Sequence, residues 1–370
     1  MYTIINNILL GLFILCCIIE GDFAKKKELL KVNFKWAIPI IIFFLLALVA
    51  SIVNYSGSFL KNIEKYWSFV LIPVVFLTHL NFYNKNKAII FEGLLWGTIT
   101  TLILCYLNLI YEMYSRAEPL NYFFRWRHLN QQFTEIADTH PAYLGLFITV
   151  ATAYLFMEYR IRTVYKIFIF IFFSLAMFQL ASRMALVTFT LCLFTVITLK
   201  HYKNAIAFIL IISFVGGVFV FNASEYLSDR LFSYEQIGRD SRMDRLEASY
   251  DVFKENIFFG IGFSKVDEAR KQKYHEHGFE IALVNNYNSH NQFMEYLVVN
   301  GIFGGLTYVL VFAFLFYLCL KQKDYLFFIL FLSLFVANLT ESMLVRIKGI
   351  EFFAIFATLY LSKNLINSRD

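Results

Sequence analysis

The tightest constraint on this chain is the recurrence of long apolar runs from one end to the other. An α-helix needs about 20 mostly apolar residues to cross a bilayer, with a range near 17–25. Runs close to that length occur at Thr3–Ile19, Trp36–Val53, Trp67–Phe82, Ala88–Ile110, Ala142–Met157, Val164–Ala181, Met184–Leu199, Ala205–Phe221, Gly301–Leu320, Tyr325–Leu339 and Ile350–Ile366. A soluble core cannot absorb this much apolar surface. Hydrophobic residues fill 59% of the 370 positions, charged residues only 16%, and Phe alone occurs 44 times. A soluble domain averages roughly 45–50% apolar and about 25% charged. The excess must face lipid, where a helix satisfies its own backbone. The sequence therefore predicts an all-α, polytopic membrane bundle of about eleven spans. It divides into 1–221 (spans one to eight), a large external loop over 222–290, and 291–370 (the last three spans).

Positive charge orients the bundle. Short alternate connections hold Lys25, Lys26, Lys27, Lys31 and Lys35, then Lys85 and Lys87, Arg160, Arg162 and Lys166, Lys200 and Lys203, Lys321 and Lys323, and Lys363 and Arg369. Short loops dense in Lys and Arg stay in the cytoplasm, which predicts the N-terminus outside and the C-terminus inside. Two long segments, Tyr111–His140 and Asn222–His290, then lie outside. The net charge of +6 belongs to this topology, and no basic surface with interleaved aromatics predicts nucleic-acid binding. The five cysteines all sit inside apolar runs, so neither a disulfide framework nor a zinc site is expected. The first run lacks a basic start and a small-residue cleavage site, and reads as a retained span.

Candidate chemistry concentrates on the external side. Asp240–Asn256 reads as an amphipathic helix, with Met243, Leu246, Tyr250 and Phe253 forming an apolar stripe. Arg242 and Arg245 share a face beside that stripe. Two readings stay open: an interfacial helix with arginines on lipid phosphates, or two guanidiniums presented to a ligand phosphate. Arg183 stands in a tight turn between two spans, where an ionisable residue is either functional or snorkelling to the surface. His290 lies where the long loop re-enters the membrane, and serves either as a proton acceptor or as a hydrogen-bonded structural residue. Glu295 follows it and is placed to orient a neighbour. His275-Glu276-His277 lacks a third metal ligand, so no metal site is predicted. His79 and Glu92 fall within spans, where a transporter would carry a proton path.

Ser289-His-Asn-Gln-Phe-Met-Glu-Tyr-Leu-Val-Val-Asn-Gly301-Ile-Phe-Gly-Gly-Leu306 resembles the histidine–asparagine, glycine-rich re-entry segment of the O-antigen ligase and polymerase family. Members carry an arginine about eighteen residues before a Phe-Gly-x-Gly element, and Arg242 stands eighteen residues before Gly260. Leu246 and Ile257 stand where the family has tryptophan and proline, so Arg245 remains an alternative to Arg242. Ala181-Ser-Arg183 and His140-Pro-Ala-Tyr-Leu-Gly145 resemble two further family motifs. Members of the family have about twelve spans.

The resemblance implies an inverting, metal-independent glycosyltransferase of the bacterial inner membrane, working on the periplasmic face without a cofactor. Its donor is a glycan on undecaprenyl diphosphate, and its acceptor is lipid A–core or a similar sugar. A polymerase of the same family would instead extend a growing glycan. By this resemblance His290 is the general base, and Arg242 and Arg183 stabilise the departing diphosphate. Arg245, Asn291, His140 and Tyr143 are then substrate-binding residues. A polysaccharide flippase or other transporter is the alternative of another class; it would bind near the bilayer midplane.

Overall fold

The computed structural model describes residues 3–55, 59–79, 82–200 and 242–365. The eighth expected span and residues 222–241 of the large loop lie outside them. Among the described residues the chain is helical with no strand. The helices are α1 (Thr3–Ile19), α2 (Phe23–Asn33), α3 (Ile38–Ile52), α4 (Phe59–Ile63), α5 (Ser68–Leu77), α6 (Phe82–Ser115), α7 (Gln131–Thr134), α8 (Pro141–Met157), α9 (Thr163–Gln179), α10 (Arg183–Lys200), α11 (Arg242–Glu255), α12 (Val266–His277), α13 (Glu280–Asn285), α14 (Gln292–Lys321), α15 (Tyr325–Asn338) and α16 (Ile347–Leu361).

Each expected span within the described residues overlaps one of these helices. Length and apolarity by themselves qualify two of them to cross a membrane, α6 and α14, or up to four if two bent pairs each count as one span. Those pairs are Asn7–Ile19 with Phe23–Trp36, bent by 111°, and Trp126–Ala137 with Pro141–Met157, bent by 79°. Helices α3, α9 and α15 are apolar but 14 to 17 residues long. At about 1.5 Å per residue, α9 reaches only the lower limit of about 17 residues for a bilayer core near 30 Å, and α3 and α15 fall short of it. The count of eleven therefore rests on the sequence.

The chain forms two compact units. The first comprises 90–239 and 323–337, and the second comprises 3–89, 240–322 and 338–370. In the first, α8, α9 and α10 pack together. Gly145 makes that packing close, since a Cβ there would stand 2.6 Å from the Cβ of Ala185. In the second, α5 packs on α16 and α3, while α11 packs on α12 and α14. Phe43, Phe69, Phe312 and Phe353 are buried there, and Phe43 lies edge-on to Phe353 at 5.5 Å.

Helix α14 is broken at Gly301, whose φ of 65° and ψ of −160° lie outside any helix. The backbone groups released by the break are met from the segment after α11. Ile261 N donates to Val298 O, Gly262 N to Val299 O, and Ile302 N to Ile257 O. Such pairing is what allows non-helical backbone at membrane depth. It also assigns a purpose to the Phe-Gly-x-Gly element. A Cβ on Gly260 would meet Val299 and Asn300 backbone at 2.4–2.5 Å, and one on Gly301 would collide with Phe258 backbone. Phe263 N reaches Ala50 O of α3, and Asn300 Nδ2 donates to Leu46 O. One broken helix, one glycine loop and the end of α3 thus form a single hydrogen-bonded block.

Candidate active site

The second unit brings together four of the expected residues: Arg242, Arg245, His290 and Asn291. Asn291 caps α14, its Oδ1 accepting from Met294 N at 2.9 Å while Nδ2 donates to Leu339 O at 2.9 Å. Both ends of its amide therefore hold the turn. His290 precedes it with φ of 44°, a left-handed conformation that a non-glycine residue adopts at a cost. That strained turn is held from both sides. Asn288 Oδ1 accepts from His290 N at 3.0 Å. Ser289 donates its hydroxyl to Glu295 Oε2 at 2.5 Å. The other oxygen of Glu295 accepts from Arg270 Nη2 at 2.7 Å, and the two side chains are 8% and 2% exposed. A buried pair of this kind needs its remaining hydrogen-bonding capacity met. Ser289 meets it for the carboxylate.

Around the imidazole the surroundings are polar on one side and aromatic on the other. Glu341 Oε2 lies 3.2 Å from His290 Nδ1. The nitrogen is off the line of a true hydrogen bond, which is common for catalytic contacts in a substrate-free state. The same carboxylate reaches Arg242, with Oε1 at 3.8 Å from Nη2. Glu341 thus bridges the expected base and the expected phosphate ligand. The Tyr287 ring stands edge-on to His290 at 5.7 Å, and the Arg245 guanidinium lies 4.6 Å over that same ring. Tyr274 donates from its hydroxyl to Tyr287 O at 3.1 Å. Burial pushes its phenol up to about 12, so it stays a neutral donor.

The two arginines of α11 differ in setting. Arg242 is half-exposed, whereas Arg245 is 5% exposed among Ala248, Ser249 and Val252. The face of α11 packed inside is therefore not the apolar stripe read from the sequence. Met243 and Tyr250 of that stripe are 69% and 47% exposed.

In the first unit, Arg183 opens α10, and Ser182 Oγ accepts from Ala185 N at 3.4 Å. Ala181 in the turn has φ of 44°. The turn is clamped by amides. Asn130 Nδ2 donates to Leu180 O at 2.9 Å, and Gln179 Nε2 donates to His128 O at 2.6 Å and Phe123 O at 3.0 Å. His140 caps α8 by accepting from Ala142 N on Nδ1 at 3.3 Å. Tyr143 is buried one turn further, two residues before the Gly145 contact with Ala185. Helices α8 and α10 thus start with His140 and Arg183, and the free N–H groups of a helix start favour an anion.

Residues set aside for transport or metal have local partners. His79 Nε2 lies 2.7 Å from Glu20 Oε2, and Glu92 is hydrogen-bonded to Tyr154. His275, Glu276 and His277 end α12, where His277 pairs with Asp251 at 2.7 Å and Glu276 with Lys273 at 2.9 Å. Sequence reasoning missed Arg270, Glu341, Asn130 and Gln179. No local pattern marks them, because each partner is distant in the chain.

A protein-family model described as O-antigen ligase matches residues 168–309. Over this segment the chain is similar to the O-antigen ligase family. It contains Arg183, Arg242, Arg245, His290 and Asn291, while His140, Tyr143 and Glu341 lie outside it. The O-antigen ligase family is a bacterial membrane family of ligase and polymerase type, glycosyltransferase-like, with glycan and lipid-linked substrates. No curated protein matches the chain.

Proposed function

We propose that this protein moves a glycan from an undecaprenyl-diphosphate carrier to an acceptor sugar hydroxyl, on the periplasmic face of a bundle of about eleven spans. The observation that carries the reading is Glu341, which faces both His290 and Arg242, two residues of the family-matched segment. A carboxylate facing Nδ1 favours the tautomer with its proton there, and leaves Nε2 as the acceptor. The acceptor hydroxyl gives its proton to Nε2 while its oxygen attacks the anomeric carbon. The bond from that carbon to the diphosphate oxygen breaks, and the electron pair leaves with the diphosphate. One displacement inverts the anomeric centre. Negative charge grows on the leaving group, and a fixed guanidinium placed for it is often the largest catalytic contribution. Arg242 takes that role, with Arg245 and Asn291 binding the substrate in the second unit. In the first unit Arg183, His140 and Tyr143 stand at or one turn inside helix starts, which suit an anionic substrate group.

The test is transfer in cells or proteoliposomes at matched membrane expression. His290→Ala should lower transfer by about 10²–10⁴-fold, the range typical of general base catalysis. Near-normal transfer would remove His290 from the chemistry. Glu341→Gln should lower kcat with a smaller change in KM. A polymerase would use the same donor and chemistry as a ligase, so none of these residues tells them apart. Offering lipid A–core and a lipid-linked repeat unit side by side separates them.

A further inference from the structure

A cavity of about 310 Å³ lies within the second unit, against the His290 turn. Asn288, Gln292 and Glu295 of that turn line it, but His290 does not. Its volume is at the low end of small-molecule sites, about 300–1,000 Å³. That is room for one substituted ring, not for a chain.

The wall is unusually rich in primary amides: Asn62, Asn286, Asn288, Gln292 and Asn300. Asn288 Oδ1, Gln292 Oε1 and Asn300 Nδ2 each already hold one backbone partner, but an amide keeps a further lone pair and donor hydrogens, which suits a ligand whose every hydroxyl both gives and takes a hydrogen bond. Aromatic faces complete the lining. Tyr66 and Phe263 stack at 5.6 Å with 19° between their planes, and both border the cavity. Formal charge cancels across the wall. Arg270 is committed to Glu295 at 2.7 Å, and the positive charge of Lys65 is balanced by the negative charge of Asp267.

We propose that this cavity is a subsite for one neutral sugar ring of the glycan substrate, separate from the face on which His290 meets Glu341 and Arg242. The assignment rests on the proposed glycan transfer and adds to it a place where sugar identity is read. A ring seated here touches Asn288 and Glu295, the residues that hold His290 N and the Ser289 hydroxyl. Occupancy therefore firms the turn that carries the base.

Saturation-transfer NMR on the purified full chain tests this, using methyl glycosides of glucose, galactose, rhamnose and N-acetylglucosamine. At least one should give a signal, in the wild type and in His290→Ala alike. Filling the cavity with Ala47→Phe, and trimming it with Asn62→Ala, should each cut that signal at least five-fold. No signal from any glycoside, or a signal that survives both variants, would overturn the subsite. Methyl glucuronide binding more tightly than its neutral counterpart would overturn the claim of neutrality. In transfer assays Ala47→Phe should raise KM for either the donor or the acceptor, and the one affected is the source of the ring; an unchanged KM for both counts against the subsite. Sugar binding by a wild type that transfers nothing sinks the reaction alone, and transfer without sugar binding sinks the cavity alone.

Discussion

The two compact units hold their candidate residues by opposite means. In the first, the turn before Arg183 is clamped by neutral amides, Asn130 and Gln179, giving hydrogen bonds to carbonyl oxygens. In the second, the turn carrying His290 hangs on a carboxylate, Glu295, which is itself paired with the buried Arg270. Amide clamps carry no net charge, so each is worth about 0.5–1.5 kcal/mol and can be lost singly. A buried ion pair costs desolvation to assemble, and losing one member leaves the other charge stranded. The contrast is between a turn that needs only a fixed shape and one that must stay rigid beside the proposed proton acceptor.

Removing the carboxylate is the harshest way to test that contrast. Glu295→Ala should destabilise the protein by about 3–5 kcal/mol, the usual cost of breaking a buried pair from one side. The double variant Glu295→Leu with Arg270→Met removes both charges, and should recover most of the apparent unfolding midpoint in detergent. It should not recover transfer, because Ser289 then loses its carboxylate acceptor and keeps only the longer bond to Asn291 O at 3.2 Å, which loosens the His290 turn. Full transfer by the double variant would show that the ion pair serves stability only, and would erase the distinction between the units.

That pair was not legible in the sequence, and the reason is physical. Apolar runs announce helices because burial in lipid is a property of a segment by itself. Every expected span within the described residues accordingly overlaps a helix. Which face of a helix is covered depends on its neighbours. The periodicity of Met243, Leu246, Tyr250 and Phe253 gives the helix Arg242–Glu255, but the face packed inside holds Arg245, Ala248, Ser249 and Val252, whose small members let α12 and α14 approach. The glycines at 260 and 262 read as the end of that helix. Their use as a bridge to the break at Gly301 depends on pairing some forty residues along the chain. Arg183, Arg242 and His290 stood out through a motif in order. Glu341, with nothing around it to mark its purpose, is visible only in the folded protein.

A milder perturbation probes the amide clamp. Gln179→Ala leaves His128 O and Phe123 O without their donor, at a cost of about 1–3 kcal/mol. Hydrogen exchange should quicken over residues 120–130 and leave 288–295 unchanged. Faster exchange in both stretches would mean that the two turns are not held independently.

The smallest effect is expected from acid, and it again separates the units. Glu118 in the first is held below the ordinary carboxylate range chiefly by its hydrogen bond to His128, and Asp251 in the second chiefly by Lys254 and then by His277. A carboxyl whose folded pKa is depressed stabilises the fold above its unfolded value, and that stability is lost as pH falls through the folded value. The loss should therefore appear below about pH 4.5 for Glu118 and below about pH 3.8 for Asp251. His128 is 2% exposed and His277 30%, so solvent and salt screen the second pair more than the first. Glu118→Gln should flatten the acid limb of the unfolding midpoint even at high salt, whereas Asp251→Asn should flatten it only at low salt. If salt acts equally on both, the buried imidazole confers no protection from screening, and the difference between the units narrows to the Arg270–Glu295 pair.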